Sequence, residues 1–191
     1  MQQKVISTGA DAIEIIPPQF TNRKGPEPLI YRSKSTQAEM AFVAKSIDYL
    51  RREKSFALKD IAILYRVQES NQVNSIEELG KALDENHLPY NWVTQNDLSK
   101  TNFNREEESI KVLTIDSAKG LDFRAVFMIS IETMPRKAGK ANEVDEREVS
   151  RFYIGMTRAL EWLFLSYSGE SQFTRYLDEV QRQRMDKQAM L

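Results

Sequence analysis

Two short stretches of this 191-residue chain carry the side chains best suited to chemistry. In LTIDSAKGLDFRAVFMIS (113–130), a strand-like run breaks at a polar elbow with Lys119 and Gly120 before a second strand begins. In RFYIGMTRALEWLFLSYSG (151–169), a Thr-Arg pair ending at Arg158 stands just before another strand. Lysine and arginine both suit phosphate, arginine as a planar fork, and glycine lets the backbone approach a ligand closely. Taken alone, the elbow also fits a solvated turn, and Arg158 also fits a helix cap.

Strand-like and helix-like runs alternate around these stretches. We predict strands in AIEIIPP (from Ala12), PLIYRS, DIAILYR, YNWVT and EWLFLSYS, besides the two in 113–130. Capping boxes predict helices starting at Thr36 with Glu39 and at Ser75 with Glu78. A third helix should run to about Ala159, and a terminal helix should follow it. This alternation predicts an α/β fold, with a mainly parallel sheet covered by helices on both faces.

The predicted parallel sheet gives the polar elbow a definite place. Ligands of such sheets bind at the carboxyl ends of the strands. Thr114, Asp116, Ser117 and Lys119 follow directly on a predicted strand and should lie there. We therefore expect a ligand-facing surface at this end of the sheet.

The composition excludes several kinds of chemistry. The chain has no cysteine and a single histidine, His87, which excludes disulfides, thiolate metal sites and a multi-histidine metal site. The net charge is −1, so contact with nucleic acid would need a local groove. The sequence shows no apolar run of membrane-spanning length and no signal peptide, which predicts a cytoplasmic protein without membrane contact.

Several residues have structural interpretations that we prefer. His87 is expected at the C-terminal end of a helix or on the surface. Trp92 and Trp162 are expected in core or interdomain packing, with a base-stacking platform as the alternative for Trp92. The cluster of Phe152, Tyr153 and Met156 is expected in the core.

The two opening stretches, taken together and in this order, resemble motifs V and VI of the superfamily 1 helicases of the UvrD/Rep/PcrA type. The cores Lys-Gly-Leu-Asp-Phe and Met-Thr-Arg-Ala carry the resemblance. DIAILYR, IEELGKALDENHLPYNWV and ETMP resemble further segments of that family in the same order, so the match spans roughly residues 28–168. The resemblance implies the second RecA-like domain of such a helicase.

The resemblance also implies cofactors and partners. ATP would be sandwiched between two RecA-like domains, with Mg held mainly by the first, which belongs to the same polypeptide. Single-stranded DNA would be the nucleic-acid partner.

The chain has no G-x-x-x-x-G-K-[ST] sequence, since Gly139-Lys140 is followed by Ala141. We therefore expect a C-terminal piece of a longer ATP-dependent enzyme, inactive by itself. We expect a linker remnant at 1–27, the domain at 28–170 and a C-terminal helix at 171–191.

The family roles transfer to individual positions. Arg158 matches the arginine that reaches the γ-phosphate, so the resemblance implies an arginine finger. Gly120 and Asp122 match the segment that meets the nucleotide, where the family usually has Glu instead of Asp122. For single-stranded DNA, the matching residues are Thr114, Asp116, Ser117 and Lys119, together with Arg66 at a strand end.

This chain departs from the family at several points. Only about fifteen polar residues stand where typical members insert a large subdomain, as in compact relatives of the helicase-IV-like kind. Val149 and Ser150 stand where paired arginines are common, and Arg151 partly replaces them. These departures leave a rival function open: a helicase-like binding factor of an RNA polymerase or repair complex, without processive unwinding. A stand-alone nucleotide-binding protein has less support because the phosphate loop is missing.

Asp116 is a further departure, because the family usually has His at this position. An ionised carboxylate accepts hydrogen bonds but cannot donate one to a phosphate. Two interpretations remain: Asp116 pins the 117–119 turn as an Asx-type bend, which the sequence favours, or it faces the DNA and weakens the grip.

Overall fold

The fold is built on a single sheet of six parallel strands. The computed structural model describes residues 25–66, 73–93, 104–135 and 146–189, so the predicted strand from Ala12 and most of the 1–27 segment lie outside it. The strands are β1 (Leu29–Arg32), β2 (Ile61–Tyr65), β3 (Tyr90–Trp92), β4 (Ile110–Thr114), β5 (Phe123–Met128) and β6 (Ala159–Tyr167). The helices are α1 (Thr36–Lys54), α2 (Val73–Glu85), α3 (Glu146–Met156) and α4 (Gln172–Ala189). In the order β1-β6-β5-β2-β4-β3 every neighbouring pair is parallel, which confirms the predicted fold class.

Helices cover both faces of this sheet, because successive strand residues point to opposite sides. On one face, α1 and α2 pack on Ile61, Ile63 and alternate residues of the other strands. On the other face, α3 and α4 pack on Ala62, Leu64 and their counterparts. The central strands β2 and β4 are buried along their whole length, and β2 accordingly has a continuous apolar sequence.

The start of α1 differs from the predicted capping box. The N-cap is Ser35, whose Oγ accepts the N–H of Ala38 at 3.2 Å. Glu39 turns inward instead, is fully buried, and accepts the N–H of Ser130 and the hydroxyl of Ser166, each at 2.8 Å. Burial, reinforced by the charge of Glu132, raises the pKa of Glu39 to about 7. Its contribution to stability is therefore complete below about pH 4.5 and lost as the pH rises toward 7.

Two other predicted helix boundaries were wrong. Helix α2 begins at Val73, so Ser75 lies inside it and cannot cap it. Helix α3 ends at Met156, and Ala159 already belongs to β6, where it lies opposite Phe123 of β5. The pairing of β6 with β5 sets the second of these boundaries, and local sequence patterns do not record that pairing.

The predictions for isolated residues had mixed outcomes. His87 is exposed just after α2 in the left-handed conformation (φ 53°), as expected for a residue at a helix end. Trp92 packs against the core under α1 and α2, as Trp162 does, and its indole N–H donates to the Tyr65 hydroxyl at 3.0 Å. Tyr153 was wrongly placed in the core, since it is 63% exposed on the outer face of α3.

Candidate functional site

The predicted site residues fall into two groups at opposite edges of the sheet. All strands end at one edge, the carboxyl edge, and begin at the other, the amino edge. Two segments run from the first edge to the second: the crossover 115–122 between β4 and β5, and α3 with the turn after it. Each segment therefore has one end in each group.

The carboxyl-edge cluster consists of Arg66, Thr114, Asp116, Ser117, Lys119, Glu148 and Arg151. Asp116 is its hub: Oδ2 lies 2.9 Å from Arg151 Nε and Oδ1 lies 3.0 Å from Lys119 Nζ. Arg66 Nη1 is 3.7 Å from the same carboxylate. Burial raises the pKa of Asp116, but the hydrogen bond from Lys119 and the charge of Arg151 outweigh it and leave the pKa below its usual value. Asp116 is therefore an ionised partner of three cations.

Glu148 ties this cluster to the interior. Its side chain is 4% exposed, and it accepts hydrogen bonds from Arg66 Nη2 at 3.1 Å and Arg66 Nε at 3.4 Å. Arg151, one turn along α3, also donates to Glu148. The Arg66 side chain is 9% exposed, so most of its guanidinium is held inside the protein. The network locks the first turns of α3 onto the ends of β2 and β4.

The turn after β4 is pinned by Thr114. Thr114 Oγ1 accepts the N–H of Ser117 at 3.2 Å, and the Thr114 hydroxyl donates to Ser117 Oγ at 2.9 Å. The Asp116 carboxylate instead contacts the charged side chains of Arg151 and Lys119. The interpretation of Asp116 as an Asx-type pin was therefore wrong, because its carboxylate bonds to cationic side chains and not to a backbone N–H of the turn.

A polar cleft of about 350 Å³ opens beside this cluster. Its lining includes Asp116, Lys119, Arg147 and Arg151, so positive and negative groups both face the space. Ser117 and Lys119 are exposed at its side of the turn. The cleft can receive an anionic group, but the carboxylate of Asp116 competes for the same cations.

The amino-edge cluster consists of Arg105, Asp122 and Arg158. Arg158 Nη1 lies 3.0 Å from Asp122 Oδ1, and its guanidinium also donates to the carbonyls of Ile154 at 3.2 Å and Leu121 at 3.4 Å. The Arg158 side chain is 21% exposed and that of Asp122 is 49% exposed. Arg158 thus caps the end of α3 and also presents a charged fork at the surface.

Gly120 lies on the crossover between the two clusters. Its φ is +80°, a conformation that side-chain-bearing residues rarely adopt, and a Cβ placed on it would meet no atom within 4 Å. The backbone turn requires glycine here, and the space beside it is open.

For three members of these clusters, the sequence alone does not predict the role that the structure shows. Glu148 looked like one charge in an acidic run, and Arg105 looked like part of a polar loop. The sequence indicates Arg151 as a partial replacement for the family's arginines, but it does not predict the pairing of Arg151 with Asp116. Each acquires its role through a partner that only the tertiary structure brings near.

Within the ranges that the structure covers, no group of three or more His, Asp or Glu side chains is arranged to hold a metal ion. None of the helices in those ranges has the length and apolar character needed to cross a membrane.

Comparison with solved structures finds the same fold in the C-terminal domain of a possible DNA helicase from Lactobacillus plantarum. The TM-score is 0.55 at 21% identity, with 78% of each chain covered. That likeness concerns the fold.

Sequence comparison finds helicases of bacterial origin. A probable DNA helicase II homolog of Mycoplasma pneumoniae is 35% identical over 92 residues, which are 40% of this chain and 13% of the relative. The ATP-dependent DNA helicase Rep of Buchnera aphidicola subsp. Acyrthosiphon pisum is 31% identical over 90 residues, 45% of this chain and 14% of the relative. The chain thus matches a small part of the length of these relatives.

The family profile gives the broadest match. The profile of the UvrD-like helicase C-terminal domain matches residues 3–107 and 97–170, which include both clusters. This chain therefore belongs to the UvrD-like helicase C-terminal domain family.

Proposed function

We propose that the chain is the second motor domain of an ATP-dependent superfamily 1 DNA helicase. Its amino-edge cluster would supply Arg158 as the arginine finger, and its carboxyl-edge cluster would form part of the track for single-stranded DNA. The observation that carries this proposal is the separation of two cationic clusters at opposite edges of one domain. Two ion pairs, Asp116 with Arg151 and Asp122 with Arg158, join the same crossover to the same helical segment.

In this proposal the domain supplies one wall of the ATP site. ATP and Mg would be held mainly by the first RecA-like domain of the same polypeptide. Arg158 would leave Asp122 and donate to the γ-phosphate as negative charge develops there. Gly120 and Asp122 would lie beside the nucleotide, the glycine through its open backbone. The chain alone would then hydrolyse no ATP.

The DNA-facing part of the proposal rests on charge and exposure. Lys119 and Ser117 are exposed at the turn and would contact backbone phosphates, which supply most of the affinity for nucleic acid. Thr114 would hold the turn in shape. Arg66 would act from within, by fixing Glu148 and Asp116. The residue boundaries 1–27, 28–170 and 171–191, a cytoplasmic location and a role in DNA repair belong to the same proposal.

The ion pairs of Asp116 favour a second candidate function. Lys119 and Arg151 are partly neutralised by this carboxylate, which weakens the attraction of the carboxyl edge for DNA. A helicase-like binding factor of an RNA polymerase or repair complex, without processive unwinding, would need less grip on DNA. The strength of DNA binding therefore distinguishes the two functions.

Asp116→Asn tests the DNA-facing cluster. The substitution removes the charge that holds Lys119 and Arg151, so affinity for single-stranded DNA should rise about five-fold at low salt, as removal of about 1 kcal/mol of repulsion predicts. The gain should fade as salt increases, because screening weakens the repulsion that was removed. Binding of a labelled oligothymidylate over a salt series measures both effects.

Asp122→Asn is the matched control, since it removes the same charge at the amino edge. It should leave DNA affinity unchanged at every salt concentration. Equal affinities of Asp116→Asn and the parent throughout the series would remove the carboxyl edge from the DNA track.

A further inference from the structure

The short loop 104–109 is held unusually firmly at the amino edge. Lys111, a fully buried lysine in β4, donates to the carbonyl of Asn104 at 2.9 Å, the carbonyl of Glu107 at 2.8 Å and the hydroxyl of Ser109 at 3.1 Å. Burial lowers the pKa of Lys111, which shows the cost of placing a charge there. A buried cation bonded to both ends and the middle of a loop fixes its shape.

Contacts with two other segments, residues 58–60 and strand β3, add to this hold. Glu108 accepts the N–H of Leu58 at 2.6 Å, and Glu106 pairs with Lys59 at 2.6 Å. Asn91 of β3 donates to Glu107 at 2.8 Å. The loop is therefore anchored along its length, and the side chain of Arg105 projects from it toward the amino-edge cluster.

Arg105 and Arg158 converge on one residue. Arg105 Nη2 donates to the carbonyl oxygen of Asp122 at 2.8 Å, and Arg158 Nη1 donates to the carboxylate of the same residue at 3.0 Å. The guanidinium of Arg105 also lies 5.9 Å from the centre of the Phe123 ring. Two guanidinium groups thus meet at Asp122, Arg158 at its carboxylate and Arg105 at its backbone carbonyl.

The two arginines differ in what holds them. Arg158 faces a charged partner and two carbonyls, and its side chain is partly buried. Arg105 is exposed and donates to a neutral carbonyl, so an arriving phosphate could replace that carbonyl without displacing a carboxylate from the guanidinium. Arginine is suited to this task because its fork can bind two oxygens of one phosphate.

We propose that Arg105 is a second phosphate-binding side chain at the amino edge, which contacts the polyphosphate chain of a nucleoside triphosphate beside Arg158. This inference rests on the proposed function and adds a residue to its site. Arg105 would bind the substrate and the transition state alike, since its charge is presented before the reaction begins. Arg158 would act mainly in the transition state.

The kinetic constants of the full-length protein separate these roles. Arg105→Ala should raise the KM for ATP about ten-fold and leave kcat within about two-fold, as loss of one charge-assisted hydrogen bond predicts. Arg105→Lys should recover only part of the KM, because the charge remains but the planar fork is lost. Arg175→Ala, which removes an exposed arginine on α4, is the control and should change neither constant.

The melting temperature and Arg158→Ala make the outcomes distinct. An unchanged KM for Arg105→Ala, with or without a lower melting temperature, would overturn the inference. If Arg158→Ala nevertheless lowers kcat strongly, the proposed function survives that failure. If neither variant changes ATP turnover, the proposed function fails as well.

Discussion

Replacing Arg158 with alanine in the full-length protein should lower ATP turnover by about 10³-fold or more, as loss of an arginine finger does. The guanidinium is partly exposed, 3.0 Å from Asp122 Oδ1, and can exchange that carboxylate for a phosphate, two oxygens of which its planar fork can bind. ATP affinity should change far less, because the interaction grows as charge develops in the transition state. Arg158→Lys should rescue little, since the planar fork is lost. Steady-state kinetics with saturating DNA measure these effects.

The alternative role of Arg158 as a helix cap predicts a different result. Its bond to the Ile154 carbonyl satisfies the end of α3, so alanine would then lower the melting temperature and leave turnover within a few-fold. Arg124→Ala is the matched control at the same edge, because Arg124 pairs with Glu161 at 2.7 Å and has no role in the proposed site. Turnover of that variant should stay near the parent value.

Glu148→Ala should destabilise the domain by about 3 kcal/mol or more, the usual cost of removing one partner from a buried ion pair. Glu148 is buried, and among the residues that the structure describes its loss leaves Asp116, at 3.7 Å, as the remaining acidic partner of the largely buried Arg66 guanidinium. Arg151 would lose its i,i+3 partner on the same helix. Urea unfolding followed by circular dichroism gives the free energy of unfolding.

Glu146→Ala is the comparison, because Glu146 is an exposed acid in the same first turn of α3. Its loss should cost less than about 1 kcal/mol, the range of a charge near a helix N-terminus. Equal losses for the two variants would mean that the Arg66–Glu148 pair contributes little, and that α3 is held by its apolar contacts.

The core strands could be predicted from the sequence because a strand that is buried on both faces has apolar residues at successive positions. DIAILYR contains β2, and the stretch 113–130 contains β5 and the last two residues of β4. Helix starts could not be predicted as reliably. Glu39 fits a capping box by spacing, but its carboxylate is drawn to Ser130, which lies 91 residues away. When a side chain is buried, hydrogen bonds to residues distant in sequence can replace the local capping bonds that its sequence spacing predicts.

The candidate site shows the same limit. The motif residues led to the two clusters, since Lys119, Asp122 and Arg158 stand in recognisable patterns. The ion-pair and hydrogen-bond partners of these residues could not be predicted from such patterns. Asp116 meets Arg151 at a separation of 35 residues, and Arg105 meets Asp122 at 17. Residues this far apart in sequence are not neighbours within one helix or strand. These pairs form because the crossover packs against α3 and against the 104–109 loop.

The separation of a DNA-binding edge from a nucleotide-binding edge is the central claim, and amide chemical shifts test it directly. The labelled chain would be titrated with an oligothymidylate and, separately, with inorganic tripolyphosphate. We expect the oligonucleotide to shift residues 114–119 and Arg151, and tripolyphosphate to shift Arg105, Asp122 and Arg158. Shifts from both ligands at one edge, or from the oligonucleotide chiefly around Arg158, would contradict the account.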